Sequence, residues 1–229
     1  CVSDAVSEGL VHLNFTDRIN LVWNENNTVK VEYLSYNEIN QLIGSLKDGL
    51  KPTYVSRYMI LAAIYTGMRL GEILALTWED IDWDGHTIKI SKSYDYAAGK
   101  TKEPKTLSSN RTIRVSASFL ELLKQLKDNH TERVFARPDG AYTTSSAVNK
   151  VLRKQLAKCG ISKQGFHFHS LRHSHVALLL YEGVPLYAIS KRLGHADMSI
   201  TARKYAYLID ELRQKSDNRI EEILENLGK

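Results

Sequence analysis

His169-Ser170-Leu171-Arg172-His173-Ser174-His175 is the stretch on which the reading of this 229-residue chain turns. Helical periodicity runs on from Leu171 to Tyr181 and ends near Gly183, so the stretch opens a helix. His169 and Arg172 then stand at i and i+3, and an imidazole and a guanidinium share one face of the first turn. Both can point at one phosphate. His173 and His175, on the same helix, suit packing and support of that pair rather than chemistry.

Working outward, the spacing predicts further helices on both sides. Leu186 to Leu193 ends on Gly194, a glycine placed as a C-cap, with His195 directly after it. Ser199 can cap a helix through Leu208 that carries Tyr205, and from Asp217 the residues Ile220, Ile223, Leu224 and Leu227 form an apolar stripe that wants a partner surface. Upstream, Ala147 to Cys159 ends on Gly160, and Phe119 to Leu126 is periodic again. Tyr54 to Tyr65 is apolar nearly all round and stops at Thr66-Gly67; Arg69 to Leu76 resumes, so two buried helices meet at a glycine corner that holds Arg69. Ser35-Tyr36-Asn37-Glu38 ahead of Ile39, Leu42, Ile43 and Leu46 is a capping box. Only Thr87 to Ile90 and Thr112 to Val115 alternate with β-branched residues, across a turn-rich, lysine-rich segment. The expected fold class is mainly α with a small antiparallel β-sheet.

Composition sets the frame. With 43% hydrophobic and 25% charged residues the chain can bury a sizeable core, and its net charge of +5 favours a polyanionic partner. Its longest apolar run, Met59 to Tyr65, is far short of the ~20 residues of a bilayer span. No membrane association is expected, and a cytoplasmic location is. The two cysteines, Cys1 and Cys159, form no metal-like cluster, and a reducing compartment fits them. Glu79, Asp80, Asp82 and Asp84 cluster, but in a turn-like stretch before a strand, where a solvated turn is the better account than a pair of metal ions. No metal and no cofactor are expected. The chain begins at Cys1 rather than Met, and the polar Asn24-Glu25-Asn26-Asn27 reads as a linker.

Four segments together, Thr66-Gly67-Met68-Arg69-Leu70-Gly71-Glu72, then His169 to His175, then Leu193-Gly194-His195, then Tyr205, resemble the signature segments of the tyrosine recombinases of the phage integrase family, in that family's order. The resemblance covers roughly residues 34 to 210 and takes in Lys105-Thr106, which matches the Lys-Thr of a family β-hairpin. It implies the integrase catalytic-domain fold and metal-independent, site-specific DNA recombination or integration through a covalent 3′-phosphotyrosine, as in mobile elements. It also implies a division of the chain: residues 1–33 as the remnant of a missing N-terminal core-binding domain plus linker, 34–210 as the catalytic domain, and 211–229 as a tail helix that docks in trans.

By that resemblance Arg69 and Arg172 clamp the scissile phosphate, with Glu72 fixing Arg69. Tyr205 is the nucleophile, His169 accepts its proton, and His195 bonds the phosphate oxygens. Lys105 is the general acid, with Lys102 on the same lysine-rich segment left open as the alternative; Glu72 and His173 give support. Tyr207 stands where the family often has His. The expected partners are double-stranded DNA with specific attachment sites, a homotetramer on that DNA and an accessory DNA-bending protein. Three other readings stand beside this one: a catalytically silent DNA-binding accessory protein of the same fold, a type IB topoisomerase, and a metal-dependent nuclease. Arg111, Arg153, Lys154 and Lys158 can touch phosphates or form a solvated face, and carry no base information either way.

Overall fold

Ser35 starts the first helix, α1 (Tyr36–Lys47), by a reciprocal cap: its hydroxyl accepts from the Glu38 amide at 3.3 Å while Glu38 accepts from the Ser35 amide at 2.7 Å. The structure is a computed structural model that describes residues 31–103 and 109–226 besides Val6 and Leu13, with backbone alone for 207, 209–216, 218, 219, 222 and 223. The chain divides at Lys30, and everything below concerns the unit from Val31 onward.

At the centre lies α2 (Val55–Thr66), which is buried on nearly every face and therefore shows little amphipathic contrast. It ends at Gly67 in the left-handed conformation, φ 69°. α3 (Leu70–Ala75) follows from an extended Arg69. Ile39, Leu42 and Leu46 of α1 join α2 in one apolar cluster with α4 (Ala117–Lys124), α5 (Ser145–Lys158) and the start of α6 (Phe168–Tyr181). The Asn149 side chain on α5 accepts from the Phe168 amide at 2.8 Å and so fixes where α6 begins. α7 (Leu186–Leu193) ends on a left-handed Gly194, and α8 (Met198–Glu225) is the last helix among the described residues. A smaller apolar cluster forms where α6, α7 and α8 meet, and its members are Val176, Ala177, Ile189, Leu193, Tyr205 and Leu208.

The strands are β1 (Ile81–Asp82), β2 (Thr87–Ile90), β3 (Ser93–Asp95), β4 (Lys100–Lys102) and β5 (Arg111–Arg114). β2 and β5 pair antiparallel as their alternation predicts, with Ile88 opposite Ile113, and β1 adds to the other side of β2. The segment between them is more than a turn. β3 and β4 make a separate two-stranded hairpin, pinned where Tyr94 stacks on Tyr142 at 3.7 Å and the Tyr96 hydroxyl donates to the Thr143 carbonyl at 3.0 Å. Stacking with a part-buried hydroxyl contact outweighs the weak β-propensity of a lysine-rich sequence.

Two further differences from the sequence reading have plain causes. Asp80 is buried rather than solvated, because it caps a short 3₁₀ turn through Thr77 and pairs with Lys92 at 3.0 Å. The backbone of α8 runs helical from Met198 to Glu225, and its one non-helical residue is Tyr205, at φ −118° and ψ 17°. Ile220 and Leu224 of the tail stripe are exposed, whereas Leu227 lies outside the described residues, as does nearly all of 1–30.

Gly67 gives the first test. A Cβ there would come within 2.7 Å of the His175 ring on a backbone of φ 69°, whereas at Gly49, φ 58°, it would meet open space. Gly49→Ala should cost about 1–2 kcal/mol of unfolding free energy from backbone alone, and Gly67→Ala about 2–5 kcal/mol because overpacking adds to it. Equal urea midpoints for the two variants would show that the α2–α6 contact is not close-packed.

Candidate active site

Arg172 organises the site. It sits on the first turns of α6, 3% exposed, and its guanidinium spans the ends of two other helices. One nitrogen donates to the Gly67 carbonyl at 2.7 Å, at the end of α2. The other donates to the Leu193 carbonyl at 2.8 Å, at the end of α7, and lies 3.1 Å from His195 Nε2. Carbonyls at helix C-termini have no intrahelical donors and carry the negative end of the helix dipole, so a buried cation is a fitting partner. Burial, and then the neighbouring Arg69, still lower the Arg172 pKa to about 9.

His195 follows the left-handed Gly194, which turns the chain so that the ring faces back into the cluster. Since Arg172 has only donors, Nε2 is the accepting nitrogen of a neutral ring and Nδ1 donates to the Thr201 hydroxyl at 2.7 Å. Burial and the Arg172 charge push the His195 pKa down to about 4, in keeping with a neutral ring. In this state the ring supports Arg172, and its Nε2 is already engaged.

Arg69 stands at the N-cap of α3, its side chain 40% exposed. Glu72, one turn on, accepts from the Arg69 backbone amide at 2.8 Å and from Nη1 at 3.0 Å. The glycine corner brings Arg69 to within electrostatic reach of Arg172. A cleft of about 460 Å³ opens here, lined by Arg69, Glu72, Lys102, Ser109, His195 and Ile200 among others. Lys102 lies on the exposed hairpin and pairs with Asp95 at 2.5 Å. Lys105 and Thr106 lie outside the described residues.

Tyr205 is placed otherwise than the sequence implied. It is 2% exposed, within the apolar cluster of α6, α7 and α8, and its hydroxyl lies 2.6 Å from His173 Nδ1 rather than on His169. His169, half-buried, sits edge-on to His173 at a ring distance of 5.0 Å. Burial, and then the Lys204 charge, hold His173 at about 3 and His169 at about 4, so both rings are neutral and His173 accepts from the phenol. His175 is turned the other way, bonded to the Ile64 carbonyl at 2.8 Å and to Arg192 at 3.1 Å.

Three basic residues of this cluster are not among the site residues read from the sequence. Lys204 precedes the tyrosine, and its pKa is lowered by burial and by Arg172 and Arg69, which places its charge at the same cluster. Its position in Arg203-Lys204-Tyr205 was a usable signal. Arg111 is not a surface contact: it is buried on the Glu72 carboxylate at 2.8 Å. Arg192 donates to the Arg114 and Tyr65 carbonyls at 2.9 and 3.1 Å and ties α7 to β5 and α2. Among the described residues no group of three or more His, Cys, Asp or Glu is placed to hold a metal ion, and no helix is long and apolar enough to cross a membrane.

A sequence profile described as the phage integrase family matches residues 32–211. A protein named tyrosine recombinase XerC-like, from Caldanaerobacter subterraneus subsp. tengcongensis, is 28% identical over 207 residues, which cover 79% of this chain and 51% of that protein. Tyrosine recombinase XerC of Lactobacillus leichmannii is 32% identical over 177 residues, covering 74% and 56%. The chain thus spans about half the length of these curated relatives. Among solved structures, the Tn1549 transposon integrase in complex with transposon right end DNA superposes with a TM-score of 0.70 at 19% identity, over 85% of this chain and 68% of that one, a likeness of fold.

The four lowered imidazoles set a pH test. An unfolded histidine titrates near ~6.5, and these are held at about 3 to about 4. Between those limits the unfolded chain binds more protons, so unfolding free energy rises with pH; stability is complete above about 6.5 and is lost as pH falls. The thermal midpoint, measured without DNA, should drop between pH 7 and 5, a window above the carboxylate range, and His173→Gln should flatten the slope. A midpoint constant across that window would mean that the rings are not held neutral.

Proposed function

The chain belongs to the phage integrase family, and from that premise we propose that it is the strand-cutting and rejoining part of a site-specific DNA recombinase. One observation carries the reading: Arg172 joins the helix ends that hold Arg69 and His195, and lies near enough to the Tyr205 phenol for their charges to interact. Two guanidiniums that share a single buried carboxylate leave net positive charge facing a cleft, which suits a phosphodiester.

In the proposed step the Tyr205 oxygen attacks phosphorus in line and the bond from phosphorus to the 5′-oxygen breaks. Arg69 and Arg172 hold the non-bridging oxygens as charge builds on them. The phenol proton leaves to an imidazole, for which both His169 and the adjoining His173 are candidates by position, and Lys105 protonates the departing 5′-oxygen. The products are a 3′-phosphotyrosine and a free 5′-hydroxyl; attack by a 5′-hydroxyl reverses every bond change, so the phosphodiester energy is kept. Lys102 is the weaker choice for the acid, since Asp95 already neutralises it.

Tyr205 at 2% exposure cannot touch a phosphate. The described state therefore precedes engagement, and the phenol must exchange its His173 bond for the cleft, the helix break at Tyr205 being the place where the chain can turn. Assembly as a tetramer on paired duplexes, with the exposed Ile220 and Leu224 docked on a neighbouring subunit, would supply a cause for that exchange. An accessory DNA-bending protein and a cytoplasmic setting belong to the same proposal.

The test is trapping on a nicked suicide duplex with a chelator present throughout. The chain should form a DNA-linked band that Tyr205→Phe abolishes, while duplex affinity is unchanged. No adduct on duplex that the chain demonstrably binds would make it a silent accessory module. A second test separates the lysines: Lys105→Ala should slow cleavage by about 10²- to 10⁴-fold, and sulfur in place of the bridging 5′-oxygen, which leaves without a proton, should restore it. The same rescue for Lys102→Ala instead would assign the acid to Lys102.

A further inference from the structure

We infer that Arg111 is a positioning residue that keeps the phosphate-facing edge of Arg69 free; the inference rests on the recombinase reading above and adds a residue to it. Arg111 lies on β5 with its side chain 6% exposed, so it cannot itself meet a duplex. Its guanidinium forks onto Glu72, with Nη1 to Oε1 at 3.1 Å and Nη2 to Oε2 at 2.8 Å. Its remaining donors fix the arginine from two sides. Nε donates to the Arg192 carbonyl at 2.7 Å, three residues ahead of His195, and Nη1 donates also to the Ser109 carbonyl at 3.1 Å.

The consequence for Arg69 follows from counting acceptor sites. A carboxylate offers about four lone-pair positions, and here Arg111 takes two and the Arg69 amide a third. Arg69 is left with a single contact through Nη1, on an arginine that is 40% exposed at the cleft. Take Arg111 away, and Glu72 becomes a buried carboxylate short of partners, one turn from a flexible guanidinium of opposite charge. Arg69 would then close on Glu72 as a fork, the stronger arrangement for that pair, and withdraw its donors from the cleft. Arg111 holds the carboxylate so that Arg69 is oriented by it without being consumed. The Nε contact with the Arg192 carbonyl meanwhile joins β5 to the end of α7, which presents His195.

Replacing one non-bridging oxygen of the scissile phosphate by methyl separates this role from a merely structural one, because it removes the charge that Arg69 would neutralise. On an ordinary nicked duplex Arg111→Met should form the covalent adduct on the order of 10- to 100-fold more slowly than the parent chain, with duplex affinity unchanged. On the methylphosphonate duplex the two should come within a few-fold of each other. Arg111→Lys keeps the charge and loses the fork; it should fold even if Arg111→Met does not, and show the same dependence on substrate charge. An equal loss on both duplexes, or no loss on either, overturns the inference while leaving the recombinase reading intact. Absence of any adduct from the parent chain on bound duplex overturns the reading, and this inference with it.

Discussion

The site depends on one buried cation bonded to the ends of two helices. Arg172 reaches across from α6 to the carbonyls of Gly67 and Leu193, and each of those residues lies two positions before another residue of the cluster, Arg69 and His195. Carbonyls at a helix C-terminus have no donor within their own helix, so two helix ends that would otherwise need water are satisfied by the Arg172 guanidinium. The glycines make this possible. A left-handed residue after α2 and another after α7 turn the chain where both carbonyls meet Arg172, and Arg69 and His195, which follow these turns, line the cleft. A charge-neutral replacement of Arg172 would orphan both carbonyls and detach Arg69 from His195, so positioning and electrostatics cannot be varied separately at this residue.

Charge balance explains the surrounding side chains. Arg69, Arg111 and Arg172 act on one buried carboxylate, Glu72, while Arg192 feels the Arg111 charge and Lys204 the charges of Arg172 and Arg69. The four histidines do not add to the repulsion, because burial and their cationic neighbours keep them neutral. An anionic group entering the cleft would relieve the imbalance that folding leaves. Glu72 is held ionised by the same surplus: despite burial, the Arg111 contact keeps its carboxyl below the usual range.

Much of this was legible in the sequence, and what was not has a common cause. The capping box at Ser35, the all-apolar α2, the glycine corners and the pairing of β2 with β5 are local patterns, and each appears where its residues place it. The hairpin of β3 and β4 was hidden because its order comes from Tyr94 and Tyr96 packing on Tyr142 and Thr143, residues distant in the chain. The roles of Arg111 and Arg192 were hidden likewise, because their partners, Glu72 for the first and Arg114 and Tyr65 for the second, are distant in the chain. Arg69 and His195 sit at helix corners that sequence marks with glycine, and Arg172 stands on the first turns of α6 within the stretch His169 to His175. Lys105 stays an assignment by resemblance, outside the described residues.

The burial of Tyr205 gives the arrangement a direction. A phenol at the end of an exposed loop would meet water and phosphates indiscriminately, whereas here it contributes to the apolar cluster of α6, α7 and α8 and is bonded to His173. Exposing it costs the apolar contacts of the ring and that hydrogen bond, so the phenol is held inside the cluster. The cost is recovered only if something else takes the vacated surface or a phosphate satisfies Arg172 at the same time. Local geometry favours that coupling: the residue that must move is also the one non-helical position of α8, and the helix beyond it bears exposed Ile220 and Leu224. A partner surface that covers those residues would pull on the segment that holds Tyr205, and assembly and nucleophile delivery would then be a single transition.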